Sequence, residues 1–251
     1  MHNGDLQGWK HYKRRFAESL ADRWYLEVKG GCDSEWSFAL FLDTLERMGY
    51  DPGSCTGKGF GPTVLRQAVV KTIARINAFV AKLPEQVLRD DHPSWLNFAV
   101  TDGHSIICTR YVGSRTEEAP SLYYSSGTTW QDKGGKGEYQ MDRRDKGADI
   151  ILVASEPLTF ERGKPTLSGY NFLANIRSES WVTVPTNSVL TIHKQTVMVH
   201  PIIDENYSYS SLHHRSPKFV REQGLLNDAF ASGTMTPAIS DGNNPKRQLG
   251  H

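Results

Sequence analysis

Leu96-Asn97-Phe98-Ala99-Val100-Thr101-Asp102-Gly103, continued by Ser105-Ile106-Ile107-Cys108-Thr109-Arg110-Tyr111, decides the fold class. Leu96 to Val100 and Ser105 to Tyr111 are both strand-like runs. Asp102-Gly103 between them is a strong hairpin signal, because both residues tolerate the positive φ of a tight turn. The hairpin also marks a change of period. Apolar residues before it recur every three to four positions, and those after it lie in short strand-like runs. Helices first and antiparallel strands afterwards predict an α+β layered domain.

The spacing predicts three helices ahead of the hairpin. Trp9, Tyr12, Phe16 and Leu20 give the first an apolar stripe from Trp9 to about Ala21. Asp33 or Ser34 can cap a second that runs to about Met48 and stops at Gly49. This second helix is apolar on more than one face, which places it between layers. Pro62 suits the first turn of a third helix. Its stripe is Val64, Leu65, Ala68, Val69, Ile73, Ile76, Phe79 and Val80, and Pro84 ends it. Further strands are expected at Ser121–Ser125, Glu138–Asp142, Asp149–Ala154, Val189–His193 and Thr196–His200. Residues 1–203 therefore read as the folded domain. Residues 204–251 read as an irregular tail, with a disorder-like composition toward the end.

Composition excludes several classes. The chain has 251 residues, 38% hydrophobic, with a net charge of +1, enough for one substantial core and no charge excess for nucleic acid or an anionic membrane. No apolar run reaches a membrane-spanning length, and no signal-peptide core stands at the start. Cys32, Cys55 and Cys108 are too few and too scattered for a disulfide framework or a zinc site, so a reducing, cytoplasmic location is expected. The histidines, His213 and His214 included, have no metal-ligand spacing, so no metal is expected. Gly53 to Gly59 imitates a phosphate loop but is one residue short, and Gly59 stands where a hydroxyl should hold magnesium.

Two short motifs carry chemistry. Asn3-Gly4 is by itself a turn signal, and Asp33 by itself a helix cap. In their setting, Met1-His2-Asn3-Gly4-Asp5 and Gly31-Cys32-Asp33-Ser34-Glu35 resemble two pocket motifs of the class-II (Ntn-type) glutamine amidotransferases. Longer stretches strengthen the resemblance: Asp33 to Leu45, Leu96 to Gly103, Leu122 to Gly127, Val153 to Arg162 and Val184 to Ile192. Within the family they are most similar to the fungal amidotransferase-like subunit of the DUG-type glutathione-degrading complex.

The resemblance implies a four-layer αββα Ntn-hydrolase-like sandwich. It implies an oxyanion hole made by the Asn3 side-chain amide and the Gly4 backbone N–H. It implies that Asp33 binds the α-ammonium of a γ-glutamyl substrate. The activity implied is hydrolysis of the γ-glutamyl bond of glutathione, with a metallopeptidase-like partner subunit and without a cofactor. The family's nucleophile is a cysteine bearing its own free α-amino group. Cys108 reads as core, Cys32 lies beside the opposing charge of Asp33, and none of the three cysteines is N-terminal. The resemblance thus leads to the expectation of an N-terminally truncated domain, without its first strands and inactive as written. The alternative is a non-catalytic paralogue acting as a partner-binding subunit. Amidotransfer to a separate acceptor ranks third, because the chain carries no synthase domain. Lys164 to Ser180 interrupts the resemblance, either as a surface loop or as a translated intron.

Overall fold

The computed structural model describes residues 1–54, 57–132, 139–143, 148–158 and 181–208. The segment 164–180, most of the tail, Cys55, His213 and His214 lie outside the described residues. The helices are α1 (Trp9–Glu18), α2 (Asp22–Glu27), α3 (Asp33–Arg47), α4 (Pro62–Val80) and α5 (Glu85–Asp90). The strands are β1 (His2–Asn3), β2 (Asn97–Thr101), β3 (Ser105–Arg110), β4 (Tyr123–Asp132), β5 (Tyr139–Arg143), β6 (Ile150–Ala154), β7 (Val182–Thr183), β8 (Ser188–His193) and β9 (Thr196–Pro201).

They form two antiparallel sheets. One has the order β1-β2-β3-β8-β9; the other has the order β5-β4-β6, with β7 also on β4. Successive strand side chains point to opposite faces, and the first sheet uses both. Ile107 and Val189 face a core shared with Tyr12, Phe16, Leu40, Leu65 and Ile76 of the helices. Their neighbours Cys108 and Leu190 face a second core with Leu122, Tyr124, Ile151 and Val153 of the other sheet. The register agrees, since Cys108 lies opposite Leu190. The layers are therefore helix, sheet and sheet, the α+β order expected. The second helical layer of a four-layer sandwich is not among the described residues.

Local details differ from the sequence reading. The first helix stops at Glu18, where Ser19 donates its hydroxyl to the Phe16 carbonyl at 2.7 Å. The chain then bends, and Asp22–Glu27 forms a separate helix that seats Trp24 in the core. The cap of α3 is Cys32, not Asp33 or Ser34, and no side chain bonds there as a cap. Glu35 instead reaches back, and its two oxygens accept from Lys29 N and Gly30 N at 2.7 Å each. The helix α3 packs between α2 and α4, as its broad apolar surface predicts, although Phe38 remains 53% exposed.

Asp43 ties the helical layer together. It is 1% exposed, and its carboxylate takes Arg47 Nε at 2.6 Å, Arg75 Nη1 at 2.7 Å and Ala21 N–H at 3.0 Å. One acid thus links α3, α4 and the start of α2. Burial alone would raise its pKa, but these donors outweigh burial and hold it below the ordinary aspartate value of 3.8. A depressed folded-state pKa gives stability that is present above the unfolded value and lost as pH falls through the folded one. Acid unfolding monitored by circular dichroism should therefore show an Asp43-dependent loss below pH 3.8. Asp43→Ala should cost about 2 kcal/mol in urea unfolding at neutral pH, because Ala21 N–H and the partly exposed Arg47 and Arg75 lose their shared acceptor. A loss under about 1 kcal/mol would show that water replaces the carboxylate.

Candidate functional site

The N-terminal segment is fastened along its whole length. Met1 N donates to Ala99 O at 3.0 Å, and Ala99 N donates to Met1 O at 2.9 Å. Four residues on, Asp5 N donates to Trp95 O at 3.2 Å, and Trp95 N returns a bond to Asp5 O at 2.9 Å. An antiparallel ladder alternates bonded and non-bonded positions. Gly4 lies between those two bonded pairs, in a bend just past β1.

Gly4 is required where it stands. Its φ is +147°, and a Cβ on it would lie 1.9 Å from the Trp95 carbonyl oxygen. No side chain fits such a contact. Beyond Gly4 the next N–H groups are each captured. Leu6 N donates to Asp33 Oδ2 at 3.1 Å, Gln7 N to Ser94 Oγ at 2.9 Å and Gly8 N to Asp91 Oδ2 at 2.7 Å.

The first of these bonds brings the two predicted motifs together. Asp33 is the first residue of α3, and its Oδ2 anchors the segment that carries Asn3 and Gly4. Its Oδ1 has only longer contacts, with Ser34 Oγ at 3.4 Å and Cys32 Sγ at 3.5 Å. That oxygen remains open to a cation, and the N-terminus of α3 favours the carboxylate charge. Asn3 is exposed, and its side-chain amide makes no hydrogen bond among the described residues. Amide donors and a half-buried carboxylate therefore share one end of the domain. That combination suits a ligand with a carbonyl at one end and an ammonium at the other.

Four residues that the motifs did not single out complete the surroundings. His2 places Nδ1 at 2.9 Å from Ser34 Oγ and Nε2 at 3.0 Å from Trp95 O. Trp95 carries the stacked ring of His92 at 4.4 Å between centroids. Tyr12 is buried, and burial together with the charges of Asp33 and Asp91 pushes its hydroxyl above the usual tyrosine range. Only His2, adjacent to Asn3-Gly4, could have been flagged from the sequence. The others depend on contacts across the fold. A mainly apolar cavity of about 290 Å³ lies beside His2, against Phe38, Phe41, Val69 and Phe98, but neither Asn3 nor Asp33 lines it.

Neither described cysteine is placed as an activated nucleophile. Burial pushes the Cys108 thiol up to about 11, so it stays protonated at neutral pH. The Cys32 thiol donates toward Asp33 Oδ1 at 3.5 Å, and among the described residues no imidazole or amine base hydrogen-bonds to it. Among the described residues no cluster of His, Cys, Asp and Glu could hold a metal ion, and no helix is long and apolar enough to cross a membrane.

Comparison with known proteins returned no matching family model. The chain is 42% identical over 226 residues to the probable glutamine amidotransferase DUG3 of Saccharomyces cerevisiae, a match covering 90% of this chain and 58% of that protein. The chain thus spans a little over half the length of that relative. Among solved structures it matches a glutamine aminotransferase class-II domain protein from Silicibacter pomeroyi at 20% identity and a TM-score of 0.41, covering 80% of this chain and 66% of that one. Over nine-tenths of its length, this chain is similar to a probable glutamine amidotransferase.

Proposed function

We propose that Asn3, Gly4 and Asp33 bind and polarise a γ-glutamyl amide, and that the substrate is glutathione. Asp33 Oδ1 pairs with the α-ammonium of the γ-glutamyl group. The Asn3 amide and the Gly4 N–H donate to the γ-carbonyl oxygen as attack makes it an oxyanion. A cysteine thiolate forms a C–S bond at the γ-carbonyl carbon, the C–N bond then breaks, and the departing amine takes a proton. Water then cleaves the thioester, releasing glutamate and regenerating the thiol. From glutathione the amine released is cysteinylglycine, a dipeptide suited to a metallopeptidase-like partner. A thiol substrate of this kind fits a reducing cytoplasm.

The observation that carries this reading is the Leu6 N–H bond to Asp33 Oδ2 at 3.1 Å. It holds the oxyanion segment and the ammonium-binding acid in one frame. The 42% identity to a probable glutamine amidotransferase supports the same chemistry. No cofactor has a part in it. The attacking thiolate is assigned to neither Cys32 nor Cys108.

The two ends of the site separate in experiment. Asp33→Asn keeps an acceptor for Leu6 N–H but loses the charge. Calorimetry with L-glutamine and with glutathione should show affinity weakened about 30-fold, the equivalent of roughly 2 kcal/mol for a desolvated charge partner. Unaltered affinity would reduce Asp33 to a structural anchor.

Asn3→Ala should leave affinity nearly intact. Glutamate release by the full-length protein should fall about 100-fold in kcat, the usual cost of one oxyanion donor. A change confined to KM would contradict the oxyanion role.

Gly4→Ala should be worse than either, because the Cβ meets the Trp95 carbonyl. Thermal unfolding should shift down along with the loss of turnover. A variant as stable as the parent would mean that the segment 2–5 is not held against Trp95 in solution.

A further inference from the structure

The Ser34 hydroxyl stands between two titratable groups. Its oxygen is 2.9 Å from His2 Nδ1 and 3.4 Å from Asp33 Oδ1. It has one proton and can serve one of them. Which one it serves is fixed by the other side of the imidazole. His2 Nε2 lies 3.0 Å from Trp95 O, and a carbonyl only accepts. In the neutral ring the proton therefore sits on Nε2 and Nδ1 is bare, so Ser34 donates to Nδ1. In the imidazolium both nitrogens donate. Nδ1–H then occupies the Ser34 oxygen, and the Ser34 proton swings to Asp33 Oδ1.

We propose that His2 is a positioning residue for Asp33, acting through the Ser34 hydroxyl, so that the protonation state of His2 sets how open Asp33 Oδ1 is to a substrate ammonium. Neutral His2 leaves Oδ1 free of the serine. Protonated His2 directs a hydroxyl onto that oxygen and adds a positive charge next to the ammonium position. The γ-glutamyl ligand therefore binds the neutral-His2 form more tightly, and by linkage its binding drives a proton off the ring. The imidazole is well held for the task, with the Phe98 ring at 4.7 Å between centroids.

The other charged groups around it do not have a free partner of this kind. On α3, Glu35 is engaged with Lys29 N and Gly30 N. The Met1 ammonium is engaged with Ala99 O. Asp5, beyond Asn3 and Gly4, faces His92 at 3.7 Å. The strand β2 is Asn97–Thr101, which includes no titratable side chain, and α4 reaches the neighbouring cavity with Val69 and Thr72.

The effect on ligand binding rests on the reading of Asp33 as the ammonium site, but the hydrogen-bond relay does not. Two measurements separate them. The first follows the His2 ring signals by NMR against pH in the ligand-free protein, its Asp33→Asn variant, its Ser34→Ala variant and the double variant. Asp33→Asn should lower the His2 midpoint clearly when Ser34 is present and much less when Ser34→Ala is in place. Ser34→Thr, which keeps a hydroxyl, should restore the larger shift. Equal shifts with and without the hydroxyl would overturn the relay and leave only the direct field of the carboxylate.

The second measurement is L-glutamine affinity by calorimetry across the His2 titration. Affinity should fall at least about fivefold as pH drops through the midpoint, with proton release visible as buffer-dependent heat. Ser34→Ala should flatten that profile. A flat profile in the parent protein would overturn the coupling to the ligand. If L-glutamine fails to bind at every pH, the site assignment of Asp33 falls, while the NMR cycle still decides the relay.

Discussion

The Trp95 peptide unit is the fixed point on which the site depends. Its N–H and carbonyl exchange bonds with Asp5, its carbonyl also accepts from His2, and its bulk leaves no room for a Cβ on Gly4. These contacts determine where Asn3 and Gly4 lie relative to β2. Trp95 itself is held by the domain: His92 stacks on its ring, and Leu96 N–H, the next in the chain, donates to Tyr111 O at 2.9 Å. A donor aimed at a transient oxyanion is useful only if it does not have to reorganise when the charge appears. Bonds that fix the backbone on both sides of Gly4 satisfy that condition. The strand β1 between Met1 and Asp5 has two residues and could not form without its partner.

Two aspartates on one helix illustrate how context divides structure from chemistry. Asp43 and Asp33 lie ten positions apart on α3. Asp43 is buried, and two arginines and a backbone N–H saturate its oxygens. It has nothing left to offer a ligand, and its role is to join three helices. Asp33 is half exposed, gives one oxygen to Leu6 N–H, and keeps the other for weaker neighbours. A carboxylate with one oxygen tied and one open is oriented but not neutralised. That state suits recognition of an ammonium, where both direction and charge must survive folding.

The legible parts of the fold were those with long periods. The stripes of α3 and α4 and the β2–β3 hairpin follow directly from spacing and turn chemistry, because many residues repeat the same instruction. The short elements were not legible. The helices α2 and α5 are only six residues each, too short for a periodic signal to accumulate. The strands β1 and β7 are two residues each and exist through their partners, β2 and β4. The cap of α3 departs from its local sequence signal for a related reason. Asp33 has the right chemistry for a cap, but its carboxylate is drawn to Leu6, a residue 27 positions away that no local rule weighs. Asn3, Gly4 and Asp33 stand out in the sequence only through a resemblance. Their juxtaposition is a tertiary fact, and His2, Ser34, Trp95 and Tyr12 entered with it.

The proposed oxyanion site is rigid in one half and adjustable in the other. The Gly4 N–H is part of a backbone locked on both sides, so its direction is set before any ligand arrives. The Asn3 amide sits on a side chain that is exposed and makes no bond among the described residues. Ordering such a side chain costs about 0.5–1.5 kcal/mol, and a ligand carbonyl must supply that on binding. The adjustable half has a use: it yields as the γ-carbonyl carbon passes from planar to tetrahedral and the oxygen moves. The rigid half cannot move, so it defines where the oxygen ends. If the ammonium at Asp33 sets the distance from the other end of the γ-glutamyl group, the fixed Gly4 N–H and the fixed Asp33 become a ruler for chain length. On that reading an aspartyl amide, one methylene shorter, should bind more weakly than a γ-glutamyl amide.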